Sequence, residues 1–204
     1  MITFYHAPGS CSLAVKAALK LTQLEHEVKI VDVNAGEHFS DEFKKINPMS
    51  KVPAVIINGE ILTEGSAILH YLSEQDSPVK LMPETGTLAK AQALKWMSFL
   101  YSNVHPHFAR AFVPSRYGAD INDIKFHAET SLHELFAIID SQLENNEFIA
   151  GDKLTLGDLY LLVAIHWQGI LANGLTEKFS HLASYQTRLL AHDVIGDMYR
   201  TEFL

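Results

Sequence analysis

Strand-forming segments end near Leu62 in this 204-residue chain, and this asymmetry constrains the fold more than any other feature. Beyond Met82-Pro83-Glu84 the apolar residues recur at helical spacing instead. Because strands and helices that are separated along a chain indicate different layers or domains, we expect two of them. The predicted fold is a small α/β domain at residues 1–78 and an all-helical domain at residues 86–204, joined by a linker at 79–85.

The first domain is predicted to have the order β-α-β-α-β-β-α. A strand, a helix and a second strand in succession imply a right-handed crossover between parallel strands. The pair Asn58-Gly59 lies between two apolar runs and predicts a β-hairpin, because its turn requires positive φ at both residues. The predicted segments are strand 2–6, helix 12–24, strand 28–33, helix 41–46, hairpin 54–62 and helix 64–75.

Three helical segments are predicted in the second domain. The first runs from Gly86 to about Pro114 and is expected to kink at Pro106. The second has an apolar stripe over residues 128–143. The third begins at Thr155 and is apolar on every side, which indicates a buried core helix.

Composition argues against several classes of protein. The formal charge of −8 and the absence of a Lys/Arg cluster argue against a nucleic-acid partner. No apolar run approaches the ~18 residues that span a bilayer, and the first residues do not resemble a secretory signal. The single cysteine, Cys11, excludes an internal disulfide and suits a reducing compartment. We therefore expect a cytoplasmic protein without nucleic-acid, membrane or metal partners.

The segment Ser10-Cys11-Ser12 is predicted to form the N-terminal end of the first helix. Backbone N–H groups and the helix dipole favour an anion there, so a thiolate would be stabilised. The alternative is that the serines cap the helix and Cys11 is a small core residue. Taken alone, such a cluster favours this second, purely structural interpretation.

Two further features bear on the choice. Val52-Pro53 directly precedes a strand, where a cis peptide bond could turn the backbone of Val52 toward a ligand, although only about 5–6% of X-Pro bonds are cis. Glu64-Gly65-Ser66 begins the third helix with a carboxylate and exposed N–H groups. That combination can hold the ammonium and the carboxylate of an amino acid together.

With these features the chain resembles the cytosolic glutathione transferase family over nearly its whole length. The resemblance implies a thioredoxin-like N-terminal domain and an all-helical C-terminal domain. Thr155 and Asp158 lie in a segment that is similar to the folding motif of the family, and they form a capping box at the start of a helix. The matching segments are Tyr5, Ala7–Ala14, Ile46–Pro48, Lys51–Ala54, Leu62–Ile68 and Ile149–Asp158.

The first turn is most similar to that of the bacterial beta class. The resemblance implies that Cys11 contacts or disulfide-bonds the glutathione thiol, and that His105 assists it. Ser10 and Tyr5 are the other candidates for activating the thiol. For Tyr5, packing under the first helix is the favoured role, and a purely structural role for His105 is equally open.

The remainder of the glutathione site is also implied by position. Val52 would pair with the cysteinyl backbone beside cis-Pro53. Glu64, with the N–H groups at Gly65 and Ser66, would hold the γ-glutamyl end. Gly65 is a departure, because family members often carry serine there.

The glycyl end of glutathione has no beta-class partner in this sequence. The basic residue that this class uses after the second strand is missing from Asn34-Ala35-Gly36. His38 lies in a segment that resembles insect-type classes, where the histidine approaches the glycyl carboxylate. His38 and Lys51 are therefore the candidates for this end. The class assignment is mixed, since Pro106 also replaces a residue that is usually basic.

The resemblance implies a transferase that conjugates glutathione, its co-substrate, to a hydrophobic electrophile, a detoxification reaction. The electrophile pocket would be lined by loop 7–10 and by Phe108, Phe112 and Tyr117. Two alternatives are glutathione-dependent thiol exchange or isomerase chemistry through Cys11, and a non-catalytic glutathione- or ligand-binding stress protein.

A homodimer is also implied by the resemblance. The first long helix carries more apolar surface than one side of it could bury in a monomer of this layout. Its apolar residues are Leu94, Met97, Phe99, Leu100, Val104 and Phe108.

Overall fold

The computed structural model describes residues 1–203, which divide into two compact units. One unit combines residues 1–81 with the C-terminal segment from Asp193 onward, and the other spans Met82–His192. From the sequence, this C-terminal segment was predicted to belong to the helical domain at residues 86–204. It belongs to the first unit because its helix packs on the first helix of the chain and buries Ile195, Met198 and Tyr199.

The first unit contains a four-stranded mixed sheet in the order β2-β1-β3-β4. β1 pairs in parallel with β2 and antiparallel with β3, and β4 returns beside β3. The predicted hairpin is confirmed, with φ of 51° at Asn58 and 90° at Gly59 in its turn. The strands are β1 Ile2–His6, β2 His26–Ile30, β3 Ala54–Ile57 and β4 Glu60–Thr63.

The second strand differs from its prediction. An apolar strand over 28–33 was expected, whereas β2 ends at Ile30 and lies at the edge of the sheet. Its side chains are largely exposed, with Val28 at 37% and Ile30 at 55%. Val31 is buried just beyond the strand, so the apolar run combines an exposed edge with one core residue.

Four helices complete the first unit. α1 contributes most of its side chains to the core and packs against α3. Phe43 of α2 is buried and meets Tyr5 of β1 edge to face. The helices are α1 Ser12–Thr22, α2 Asp41–Ile46, α3 Gly65–Ser73 and α10 Asp193–Phe203.

The second unit is helical, as predicted. In the described part of the chain, no helix has both the length and the apolar character needed to cross a membrane. The helices are α4 Leu88–Phe99, α5 His105–Phe112, α6 Ile121–Leu143, α7 Leu156–His166, α8 Leu175–Lys178 and α9 Ser180–Leu190.

A single helix with a kink at Pro106 was predicted here. The structure instead has two helices, α4 and α5, joined by a π-helical turn at Leu100–Val104. The N–H of His105 donates to the carbonyl of Leu100, five residues earlier. Because proline lacks an N–H and its ring clashes with the carbonyl four residues before it, a widened turn ahead of Pro106 relieves both problems.

α7 forms the centre of the second unit, and all its residues from Leu156 to Ile165 are buried. The predicted capping box at its start is confirmed, because Thr155 and Asp158 exchange side-chain-to-backbone hydrogen bonds. Asp158 also accepts hydrogen bonds from the Ile149 N–H and the Tyr185 hydroxyl. A buried carboxylate therefore holds the start of α7 to its neighbours.

Candidate functional site

Cys11 lies where the loop after β1 enters α1, at the N-cap position. Its Sγ donates to the backbone carbonyl of Val52 at 3.5 Å. The Val52–Pro53 peptide bond is cis, as the resemblance implied. The structure therefore brings together two segments 41 residues apart, namely the first turn and the loop before β3.

The Cys11 side chain is a neutral thiol. Burial raises its pKa to about 12; a backbone N–H and the Lys51 charge oppose this shift, and the Glu64 charge adds to it. The expectation that the helix N-terminus stabilises a thiolate here is wrong, because the cost of desolvating the anion exceeds the help from backbone N–H groups. A neutral thiol can act as a hydrogen-bond donor.

Glu64 occupies the N-cap of α3 in an unusual backbone conformation, with φ of 65° and ψ of 108°. Its side chain makes no capping hydrogen bond and is exposed. The first N–H groups of α3, at Gly65 and Ser66, have no intrahelical acceptor, as at any helix start. A non-glycine residue with positive φ is costly, and such residues concentrate at functional sites.

The two candidates for a carboxylate partner differ in their surroundings. His38 lies in a 3-10 turn at Glu37–Phe39, and its ring packs on Phe39 with centroids 3.9 Å apart. Its Nδ1 is buried and has no hydrogen-bond partner among residues 1–203. Lys51 is exposed, and its charge acts on the Cys11 thiol.

Ser10 takes part in a hydrogen-bond cluster that the sequence did not reveal. Its Oγ donates to the carbonyl of Ala7 at 2.7 Å and lies 2.6 Å from Ser12 Oγ. Ser12 Oγ in turn lies 2.7 Å from Nδ1 of His6, which is fully buried. His6 follows Ile2 and Phe4 on the inward face of β1, and a buried histidine needs polar partners.

Glu202 of α10 completes this cluster from the far end of the chain. Its Oε1 accepts from His6 Nε2 at 2.7 Å and from Lys16 Nζ at 2.5 Å. Its Oε2 accepts from the Gly9 N–H at 3.2 Å. Burial opposes ionisation of Glu202, but the hydrogen bonds and charges of His6 and Lys16 outweigh it, so its pKa is lowered. No local sequence pattern relates residue 202 to residue 6.

Tyr5 lies away from its expected position under α1. Its ring meets that of Phe43 on α2, with centroids 5.9 Å apart. The Tyr5 side chain lines a cavity of about 550 Å³ with Lys29, Glu37 and other residues around α2. The predicted packing under α1 is therefore wrong.

His105 and the predicted pocket aromatics belong to the second unit. Nδ1 of His105 is hydrogen-bonded to the Tyr160 hydroxyl, and the ring meets Trp167 edge to face. Phe108 is fully buried, so it forms core rather than lining an open pocket as predicted. Phe112 and Tyr117 are about half exposed, at 46% and 49%.

The candidate site in the first unit combines three features. It offers a thiol donor at Cys11, a backbone turned by cis-Pro53, and a carboxylate next to free N–H groups at the start of α3. Among residues 1–203, no three His, Cys, Asp or Glu side chains form a group that could hold a metal ion.

Both the N-terminal and the C-terminal part of the chain match known protein families. Residues 1–74 match the family model of the glutathione S-transferase N-terminal domain, and residues 99–193 match that of the C-terminal domain. A glutathione S-transferase of Xanthomonas campestris pv. campestris is 31% identical over 194 residues, which is 92% of each chain.

Solved structures agree with this result. The bacterial beta-class glutathione S-transferase of Sphingomonas chungbukensis has a TM-score of 0.87 and 30% identity, and the match covers 98% of both chains. A sphingomonad glutathione S-transferase in complex with glutathione has a TM-score of 0.86 and 30% identity over 99% of both chains. The chain therefore belongs to the glutathione S-transferase family, with the thioredoxin-like and all-helical domains of that fold and a similarity to its bacterial beta class.

Proposed function

We propose that this protein binds glutathione in its first unit and conjugates the glutathione sulfur to a hydrophobic electrophile. The observation that carries the proposal is the contact between the Cys11 thiol and the Val52 carbonyl beside cis-Pro53. This contact supports the proposal because a thiol donor lies beside a backbone that can pair with a cysteinyl residue. Membership of the transferase family supports the same conclusion.

The three parts of glutathione are assigned to three parts of the site. The γ-glutamyl end lies at Glu64 and the N–H groups of Gly65 and Ser66, where a carboxylate meets the start of a helix. The cysteinyl backbone pairs with Val52. The glycyl carboxylate is held by Lys51 and by the unpartnered Nδ1 of His38.

Catalysis requires the glutathione thiol to lose its proton near neutral pH. A free thiol has a pKa of about 8.5, and each unit of lowering takes ~1.4 kcal/mol of stabilisation of the anion. Neutral donors can supply this, because hydrogen bonds to an anion are stronger than those between neutral groups. The S–H of Cys11 and the O–H of Ser10 are the donors in this unit. The sulfur anion then attacks the electrophilic carbon and displaces its leaving group.

The role of His105 as a residue that assists the glutathione thiol stays a prediction. Nδ1 of His105 is hydrogen-bonded to the Tyr160 hydroxyl, which fixes the orientation of the ring. We assign activation to the first turn instead, with Cys11 ahead of Ser10 and Tyr5.

Thiol exchange or isomerase chemistry through Cys11 is the less favoured alternative. A thiol with a pKa of about 12 is almost entirely protonated at neutral pH, and the thiolate is the attacking species in disulfide exchange. The chain also has no second cysteine to resolve a mixed disulfide. A binding protein without turnover remains the other alternative.

We further propose a cytoplasmic homodimer with a detoxifying role. Family membership alone supports the dimer. The apolar residues of the first long helix were expected to need a second chain to bury them, but most are already buried. Met97, Leu100, Val104 and Phe108 are at most 5% exposed within a single chain. Sedimentation of only a 22.8 kDa species at micromolar concentration would exclude the dimer.

One set of assays tests the function. Wild type, Cys11→Ala and Ser10→Ala are compared for retention on glutathione-agarose, conjugation of chlorodinitrobenzene and reduction of a glutathione mixed disulfide. We expect retention and conjugation in wild type, with conjugation partly surviving in Cys11→Ala. Disulfide reduction that depends on Cys11, without conjugation, would favour thiol exchange. Binding without either activity would favour the non-catalytic alternative.

A further inference from the structure

The last turn of α10 lies against the loop that carries Ser10 and Cys11. Oε2 of Glu202 accepts a hydrogen bond from the Gly9 N–H at 3.2 Å. The ring of Phe203 lies beside Gly9, since a Cβ atom at that position would be 3.7 Å from its Cε1. Gly9 has φ of 73°, a conformation that favours glycine. Two side chains of α10 therefore meet the loop one residue before Ser10.

The other oxygen of the Glu202 carboxylate binds the segments on both sides of this loop. Oε1 accepts from Nε2 of His6 at 2.7 Å and from Nζ of Lys16 at 2.5 Å. His6 is the last residue of β1, and Lys16 lies on α1. One carboxylate thus joins the strand, the loop and the helix that together form the first turn.

Hydrogen bonds inside the loop connect the position of Gly9 to that of Ser10. Oγ of Ser10 donates to the carbonyl of Ala7 at 2.7 Å, and the Ser10 N–H donates to the same carbonyl at 3.2 Å. Ser12 Oγ accepts from the Ala7 N–H and also contacts the Ala7 carbonyl, both at 3.2 Å. Because these bonds close the loop on itself, a shift of Gly9 displaces Ser10 and Cys11 as well.

The burial of Glu202 indicates what the carboxylate does. Its side chain is only 4% exposed, and taking a carboxylate out of water is costly. A buried ion pair adds little net stability compared with apolar side chains of similar volume. It does fix geometry, because charged hydrogen bonds are short and each oxygen has definite partners. The arrangement therefore suits a residue that holds the loop in one position.

We infer that Glu202 is a positioning residue for the transferase reaction: it holds the loop so that Ser10 and Cys11 direct their donors at the glutathione sulfur. This inference rests on the proposed function, since it needs a sulfur ligand at the first turn. The peptide part of glutathione is assigned to other segments, at Val52 and Glu64. Loss of the Glu202 contacts should therefore impair stabilisation of the thiolate and leave the affinity for glutathione intact.

Glu202→Gln tests the inference, because an amide has one oxygen and cannot accept from both Gly9 and His6 in the same way. We compare kcat, the thiolate absorbance of bound glutathione and the dissociation constant of glutathione. We expect kcat and the thiolate absorbance to fall about tenfold, the effect of a rise of one unit in the thiol pKa at a pH below that value. The dissociation constant should stay unchanged. Asp197→Asn, the same charge change at an exposed position of α10, is the control and should behave like wild type.

A purely structural role would give a different result. Glu202→Gln would then be less stable, but the folded protein saturated with glutathione would keep the kcat and the thiolate absorbance of wild type. That result would overturn the inference alone, and so would a loss of glutathione affinity that accounts for the whole effect. Failure of wild type to bind glutathione would instead overturn the proposed function.

A measurement on wild type covers the case in which Glu202→Gln does not fold. Hydrogen exchange followed by mass spectrometry reports the opening of the segments 7–13 and 193–203. Because a ligand slows the opening of every segment that is coupled to its site, glutathione should protect both. Protection of residues 7–13 with unchanged exchange in α10 would overturn the inference, since the loop would then keep its position independently of Glu202.

Discussion

At the scale of single residues, Cys11 and Glu64 both have properties in the structure that differ from what their local sequence predicts. The pattern around Cys11 predicts a stabilised anion, but the burial of the sulfur decides its ionisation. Glu64 by pattern is an ordinary first-turn acid, but its backbone has positive φ and its carboxylate is left exposed. In both cases the deciding quantity is three-dimensional, and the residue types alone do not contain it.

Cys11 should therefore react slowly with alkylating reagents in the native, ligand-free protein. Because its pKa is about 12, the thiolate fraction is negligible at pH 7, and the rate should rise with pH through the alkaline range. Iodoacetamide labelling followed by mass spectrometry reports this site alone, since the chain has one cysteine. The urea-unfolded protein is the control and should label at the rate of a free thiol. Equal rates in the two states would contradict a pKa of about 12 for the native thiol.

At the scale of elements, local patterns located most helices and the hairpin. α2 is found at its predicted residues, Asn58-Gly59 forms the turn, and the capping box at Thr155 is present. Each of these depends on residues within a few positions of one another. The exposure of β2 and the attachment of α10 depend on packing partners far along the chain, so sequence periodicity did not reveal them.

The capping box should be a large contributor to stability. Burial raises the pKa of Asp158, and hydrogen bonds from Ile149, Thr155 and Tyr185 oppose that shift. Asp158→Asn leaves at least one buried donor facing an amide N–H, which costs about 1–3 kcal/mol per unsatisfied group. Urea unfolding should show this loss, whereas Asp152→Asn, an exposed change nearby, should be neutral. A stability equal to wild type in Asp158→Asn would contradict the hydrogen-bond arrangement.

The attachment of α10 should depend on pH. The pKa of Glu202 is lowered from 4.5, so its stabilisation is present above that value and is lost as pH falls through the lower folded-state value. Glu202→Gln should reduce the free energy of unfolding by about 1–3 kcal/mol at neutral pH. The difference from wild type should shrink below pH 4.5. A difference that is constant across this range would show that ionisation of Glu202 plays no part.

At the scale of the whole molecule, the order of strands and helices was enough to predict the two-part architecture. The family resemblance came from sequence segments such as Ala7–Ala14, Lys51–Ala54 and Leu62–Ile68. The resemblance then assigned Cys11, Val52-Pro53 and Glu64 to one site, and the structure brings Cys11 to Val52 and within electrostatic reach of Glu64. The hydrogen-bond cluster that joins Glu202 to His6, Ser12 and Ser10 could not be predicted, because its members are separated by up to 196 residues.

The central claim is that the first unit holds glutathione at Cys11, cis-Pro53 and Glu64, and calorimetric titration tests it most directly. Wild type should bind glutathione with a dissociation constant of about 1 mM or lower, which corresponds to about −4 kcal/mol. Glu64→Gln should weaken binding about tenfold or more. The substitution removes the charge that would pair with the glutathione ammonium, and a loss of about 1.4 kcal/mol corresponds to a tenfold weaker affinity. Glu60→Gln, an exposed acid at the other end of β4, should bind like wild type. Absence of binding in wild type, or equal binding by all three proteins, would contradict the account.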